Sequence, residues 1–371
     1  MLGKEPAHGN HMQTSGGLQE EPPLVEINHR GQIFETYIVR TDAVAEAAYL
    51  IGEVLVDDCY LQHGLQITPG ATVVDIGANI GIFAVRALAA APGGDLTYIG
   101  VEPVPASFTA LQCNLLGGTG GNIMLFQTAV SDRPGTLPMT FYPRMPGNST
   151  LRPLEKAALQ QRLMPSFFSA VEQFEVPVVT LQRLLQEAVP DGGRIDLLKV
   201  DVEGEEWAVL QGLDEAGWQR VQQVVVEVHD CPPGVSDKHP ASRSAADAAG
   251  SKQRSAPGGQ LILDDLSPTA AAAAAGGACL AQPQPALLAA QPSADIDGHW
   301  ISFLPRSLPS HDARGRPVMQ AAAPPRHDGR VMAVARMLKG LGFKVVVDCC
   351  MLAEGVPVNH NVYALRPELS R

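Results

Sequence analysis

The sequence is short of positive charge, of long apolar runs and of patterned cysteine, and each shortage removes a class of function. Lys and Arg number 27 against 39 Asp and Glu in 371 residues, a formal net charge of −12 at pH 7. No Lys/Arg-rich stripe offsets that balance, so nucleic acid is disfavoured as a partner, because phosphate binding draws on clustered cations. No apolar run reaches the roughly 18 residues of a membrane helix, so no membrane partner is expected. The stretch 1–23 has neither the apolar core of a secretory signal nor the Arg-rich character of a transit peptide; it reads as a disordered tail, and a cytoplasmic protein is the expectation. The six cysteines (59, 113, 231, 279, 349 and 350) form no C-x-x-C pair and no metal-finger spacing. Reduced thiols are therefore expected, and no metal site is assigned from cysteine.

What the chain does have is the stretch Val73 to Phe83, VVDIGANIGIF. Two apolar residues lead into Asp75, followed by Gly77, Asn79 and Gly81 and a second apolar run. This reads as a buried parallel strand, a tight turn and the start of a helix at Ile80. In open α/β sheets ligands collect at the carboxyl ends of such strands, where small residues let the backbone approach them.

Around that unit the pattern alternates. LVEINHRGQIFETYIV predicts a hairpin over residues 24–39, and Asp42 is placed to cap a helix through AVAEAAYLIGEVL. A second strand, LTYIGVEP, ends in Glu102, where an acid accepts hydrogen bonds from a ribose diol in nucleotide-binding βαβ units. A helix over 105–116 and a third strand, NIMLFQTAVSD, follow. Residues 133–175 give little pattern beyond a short helix at LEKAALQQRL. PVVTLQRLLQEA is a strand running into a helix. IDLLKVDVEGEEWAVLQGL brings Lys199, Asp201 and Glu203 to the end of a fourth central strand, and VQQVVVEVHD brings Glu227 and His229 to the end of a fifth. From 232 to 327 the composition turns to Ala, Pro, Gly and Ser, too poor in large apolar side chains to order itself, so a disordered insertion is expected. A helix at VMAVARMLKGLGF and strands KVVVD and NHNVYALRP resume one domain, with core 50–231 and 328–366.

The turn selects its ligand by what it omits. A dinucleotide fingerprint G-x-G-x-x-G would need glycines at 77, 79 and 82, and Asn79 and Ile82 break it. An NAD-dependent dehydrogenase is thereby disfavoured. D-x-G-x-N-x-G with a second acid at Glu102 suits a cofactor with an adenosine and a compact zwitterionic tail, and S-adenosylmethionine answers that description. Glu102 is assigned to the ribose; Asp75 and the turn amides at Gly77, Asn79 and Gly81 are assigned toward the methionine end, with Asp201 nearby.

The blocks VVDIGANIGIFA, VEPVPASFTALQCNL, TAVSD, IDLLKVDVEGEEWAVLQGL and VVVEVHD resemble, in order, the signature blocks of FkbM-type methyltransferases. One departure is Gln182, where the family pattern T-L-D would place an acid after Thr180-Leu181; the insertion is the larger one. The resemblance implies an α/β class I methyltransferase fold, a mostly parallel seven-stranded sheet with helices on both faces. It also implies a small hydroxylated acceptor such as a sugar or natural product, and adenine near Ala129, Val130 and Asp132, with Ser131 or Asp132 accepting from its amino group. For the chemistry, Asp201, Glu203 and His229 are the candidate bases, His229 because its ordinary pKa is near neutral, and Lys199 is a candidate catalytic or charge-pairing residue. Glu205 and Glu206 read as favouring a helix dipole. A divalent cation held by Asp201 with Glu203 or Glu227 has room, but nothing in the spacing demands it. Two other classes stay open. An amino-group methyltransferase lacks its usual [N/D]-P-P-[Y/F] block here, and a non-catalytic binding module would have no need of an intact Asp75, Gly77, Gly81 and Glu102.

Overall fold

A computed structural model describes residues 21–115, 121–154, 166–190, 192–229, 329–353 and 356–369, and for 349–353 and 356–358 the backbone alone. The predicted helix at 154–163 falls largely outside the described residues, and the insertion 232–327 wholly so. Strands β1 (Leu24–His29) and β2 (Gln32–Tyr37) form the expected antiparallel hairpin. The helix after it comes in two parts, α1 (Val44–Leu50) and a π-helical continuation Ile51–Val56. Asp42 does not cap it; that carboxylate pairs with Arg40 and Arg144 and Ala43 holds the capping position.

The main sheet is built from β3 (Ala71–Ile76), β4 (Leu96–Val101), β5 (Asn122–Phe126), β9 (Leu197–Val200), β10 (Gln223–His229), β11 (Lys344–Ala353) and β12 (Val356–Leu365). Its spatial order is β11-β12-β10-β9-β3-β4-β5. The five from β10 to β5 run parallel, and β12 lies antiparallel to both β10 and β11. The order reverses between β3 and β9, and a crevice opens at the carboxyl ends of strands at such a point.

Both faces of the central strands β3, β4, β9 and β10 are buried, so these strands read as near-continuous apolar runs. Alternation along each strand divides the core: Val73 and Leu197 pack with Phe83, Leu88 and Leu111 on one side. Val74, Ile76, Leu198 and Val200 pack with Trp218 and Leu338 on the other. The first side is covered by α2 (Ile82–Ala89) and α3 (Pro105–Leu115). The second is covered by α4 (Leu181–Ala188), α5 (Glu206–Gln211), α6 (Glu215–Arg220) and α7 (Arg330–Gly340). In α4 the buried positions Leu181, Leu184, Leu185 and Ala188 fall at helical spacing, and Thr180 caps it by accepting from the Arg183 N–H.

One predicted strand is in fact two. NIMLFQTAVSD bends after Phe126, so β5 stays in the main sheet, while β6 (Ala129–Ser131) joins β7 (Gly135–Phe141) and β8 (Glu172–Thr180) in a separate sheet of order β6-β8-β7. That small sheet has its own core of Met139, Phe141, Val176 and Val178, and its β7 and the start of β8 fall in the poorly patterned region between 133 and 175.

Candidate functional site

A cavity of about 390 Å³ lies at the carboxyl ends of the parallel strands, within the usual range for small-molecule sites. One wall is the turn after β3. Gly77, Asn79 and Gly81 all take positive φ, +84°, +49° and +90°. A Cβ at Gly77 would collide with the Asp201 carbonyl, so glycine there lets the turn pack against the end of β9. The Gly77 and Ala78 N–H groups both donate to the Val101 carbonyl at 2.9 Å.

Glu102 joins that turn to β4. Its carboxylate accepts from the Asn79 N–H and the Val104 N–H, each at 2.9 Å, and it is 6% exposed. Burial pushes its pKa to about 7, with the two backbone donors and Lys199 opposing the rise. The Asn79 side-chain oxygen, also lining the cavity, is shielded from solvent and has no hydrogen-bond partner among the described residues. Val101, Val104, Ala129, Val130 and Met139 make the adjoining wall apolar. An apolar wall, a buried carboxylate at a strand end and an unpartnered amide oxygen fit a group that carries an aromatic base, a diol and an ammonium.

Five of the expected residues lie off the cavity wall. Asp75 is fully buried, takes the Tyr98 hydroxyl at 2.5 Å and lies 3.1 Å from Lys199 Nζ, so it stands behind the turn and does not line the cavity. Lys199 is likewise enclosed. Its ammonium donates to the Gly77 carbonyl at 2.8 Å and lies 3.6 Å from Asp201, and Asp75, Asp201 and Glu227 outweigh the cost of burial to hold its pKa above the ordinary value. It braces the turn and does not line the cavity. The Ser131 hydroxyl points away to Glu205 at 2.6 Å, and Asp132 pairs with Arg133, so neither lines the cavity. Gly81 also stays off the wall; it starts α2, where a Cβ would press on Leu111.

The remaining predicted residues do converge. Asp201 and Glu203 leave the end of β9 and Glu227 and His229 the end of β10, and all four line the cavity. Glu203 adopts φ +58°, an unfavourable conformation for a non-glycine residue, and its carbonyl accepts from the Thr150 hydroxyl at 2.7 Å. His229 Nε2 lies 3.0 Å from Glu203 and 3.8 Å from Glu227. Its Nδ1 lies 2.8 Å from Glu206, which is fully buried, accepts from the Gly204 N–H and stands 4.0 Å from Arg330. Burial opposes the charge on Glu206, but His229 and Arg330 prevail and hold its pKa below the ordinary value. Glu205 is spent elsewhere, on Arg152 and Ser131, so neither of this pair of acids serves mainly the helix dipole.

Sequence reasoning missed Tyr60, whose hydroxyl sits 2.9 Å from Asp201 and 3.1 Å from Glu227, and Asn359, which donates to Glu227 at 3.1 Å. Burial, reinforced by Asp201 and Glu53, pushes the Glu227 pKa to about 8. Period-two spacing puts Glu227 on the same face as His229 and was signal enough to pair them; no local pattern marks Tyr60. Asp201, Glu227 and His229 each bring one donor atom to within 4.8 Å of the others, a set able to take a hard divalent cation.

With this geometry in place, comparison with known proteins is informative. Residues 75–250 match the family model described as the methyltransferase FkbM domain. The methyltransferase sdnD of Sordaria araneosa is 37% identical over 205 residues, covering 51% of this chain and 77% of that protein. The 31-O-demethyl-FK506 methyltransferase FkbM of Streptomyces tacrolimicus is 37% identical over 204 residues, covering 50% and 75%. Among solved structures, the methyltransferase FkbM of Methylobacillus flagellatus KT aligns at 14% identity with a TM-score of 0.30, and the match covers 51% of this chain and less than half, 44%, of that one. The chain belongs to the FkbM family of methyltransferases, enzymes of class I fold that take their methyl group from S-adenosylmethionine.

Proposed function

We propose that this protein transfers the methyl group to a hydroxyl of a small molecule. The observation that carries the reading is the convergence of Asp201, Glu203, Glu227 and His229 in a cavity that Glu102 also lines. Oxygen methylation needs such a wall, because a hydroxyl must shed its proton as the new C–O bond forms. The relative from Streptomyces tacrolimicus is named as a methyltransferase of 31-O-demethyl-FK506, which supports the same acceptor class.

Glu102 would hold the ribose hydroxyls, the unpartnered Asn79 oxygen would accept from the ammonium, and Val104, Ala129 and Val130 would flank the adenine. When bound, the cofactor supplies an electrophilic methyl group on a sulfonium. The chain's own work is then alignment and proton removal. Holding two reactants in line contributes on the order of 7–11 kcal/mol, and a positioned base adds roughly 10²–10⁴-fold. His229 Nε2 faces the cavity beside Glu203. It takes the hydroxyl proton as the oxygen takes the methyl, and the neighbouring carboxylates balance the imidazolium so formed. Lys199, held by Asp75 and the Gly77 carbonyl, keeps the turn and β9 in fixed relation while this occurs.

The test is incubation with methyl-labelled S-adenosylmethionine and a panel of hydroxylated acceptors, read by mass spectrometry. Label in an alkali-stable ether of a small molecule is the expected product, lost in His229→Asn. Label found instead on an amine, on protein or on nucleic acid would overturn the reading.

A further inference from the structure

Glu206 has no place in the reaction as described, yet it is a carboxylate enclosed beside the cavity. It is fully buried, it does not line the cavity, and one of its oxygens lies 2.8 Å from His229 Nδ1. A charged group is not left in such a position without partners, because desolvation alone costs several kcal/mol. Its partners are the Gly204 N–H at 2.7 Å, Arg330 at 4.0 Å and His229 itself. Arg330 also donates to the carbonyls of Gly204 and His229, at 3.0 and 2.9 Å, and so pins the loop after β9 to the end of β10.

We propose that Glu206 is a positioning residue for His229, accepting the Nδ1–H so that Nε2 is the nitrogen presented to the cavity. An ionised carboxylate can only accept, and of the two carboxylates closest to the ring only Glu206 forms a hydrogen bond with it, at Nδ1; the Glu203 oxygen 3.0 Å from Nε2 does not, so in the neutral ring Nδ1 carries the proton and Nε2 the lone pair. The ring cannot turn over without breaking the Glu206 contact, and its backbone is held by Arg330. Among the described residues, the charged groups near the ring are Glu206 beside Nδ1, Glu203 and Glu227 beside Nε2, and Asp201 within 4.8 Å of a ring nitrogen, with Arg330 behind Glu206. Both sides are anionic, which suits a ring that gains charge when it takes a proton. The α5 helix thus supplies the group that fixes the tautomer, while β10 supplies the base.

The inference rests on His229 as the proton acceptor, but its test does not need the acceptor molecule. Long-range ¹H–¹⁵N correlation of histidine-labelled full-length protein, recorded where the ring is neutral, reads the tautomer directly; His229→Gln identifies the signal. The expected result is Nδ1–H in the wild type. Glu206→Gln can donate as well as accept, so its Nδ1 proton should exchange with solvent about tenfold faster, the loss of one charge-assisted bond. An Nε2–H tautomer in the wild type, or His229 signals unchanged in Glu206→Gln, overturns the proposal. If Glu206→Gln does not fold, the wild-type tautomer decides alone. Failure of the methyl-labelling experiment would leave this result standing, so the two readings fail separately.

Discussion

Replacing Glu102 by Gln tests the cofactor wall through its dependence on pH. The folded protein holds this carboxyl at about 7 against a reference of 4.5, a difference of roughly 2.5 pH units or about 3 kcal/mol. Because the folded value is raised, the contribution to stability is fully present below about pH 4.5. It declines as pH rises toward 7 and is level above. Ligand hydroxyls reverse the preference, since they donate to the ionised form. Affinity for S-adenosylhomocysteine should therefore rise as Glu102 ionises: about a tenth is ionised at about pH 6 and about nine-tenths at about pH 8, a gain of nearly tenfold. Calorimetric titration across that range, in buffers of different ionisation enthalpy, should register a proton released on binding at the acid end. Glu102→Gln should bind at least about tenfold more weakly at about pH 8, the worth of a hydrogen bond to a charged group, and most of the pH slope should vanish. Glu227, held at about 8, titrates in the same range, so it is the difference between wild type and variant that isolates Glu102. Wild-type affinity in the variant, or an unaltered slope, would refute the assignment.

Lys199→Met leaves the fully buried Asp75 without its counter-charge, and unfolding in urea should show a loss of about 3–5 kcal/mol; a loss under about 1 kcal/mol would show the pair to be dispensable. Gly77→Ala forces a side chain onto the Asp201 carbonyl at positive φ, so the variant should melt at a markedly lower temperature and lose S-adenosylhomocysteine binding, and wild-type behaviour in either assay counts against that packing. Ser131→Ala and Asp132→Ala should keep cofactor affinity within about twofold, because neither side chain reaches the cavity; a tenfold loss in the same titration would return them to the adenine site.

How much of this was legible in the sequence depends on how far apart the interacting groups lie along the chain. The turn after β3 and the acids ending β4, β9 and β10 were readable because strand ends in a parallel sheet point to one place, whichever side chains occupy them. Direction was the harder part. Asp75 and Lys199 carry the charges expected of a site, yet each finds its partner in the other, across neighbouring strands in register. Ser131 was drawn away because NIMLFQTAVSD bends into a second sheet, an event that hydrophobic pattern alone does not encode. Tyr60 and Asn359 come from the two ends of the chain, outside the segment 75–250 that carries the family pattern, and meet over Glu227. The same division explains the chemistry. The proposed cofactor side takes its turn and Glu102 from one contiguous βαβ unit and its apolar wall from the second sheet, whereas the proposed proton-accepting side is assembled from two strand ends, α5 and Arg330. Only the folded arrangement tells a carboxylate that lines the cavity, such as Glu203, from one buried behind it against another side chain, such as Glu206.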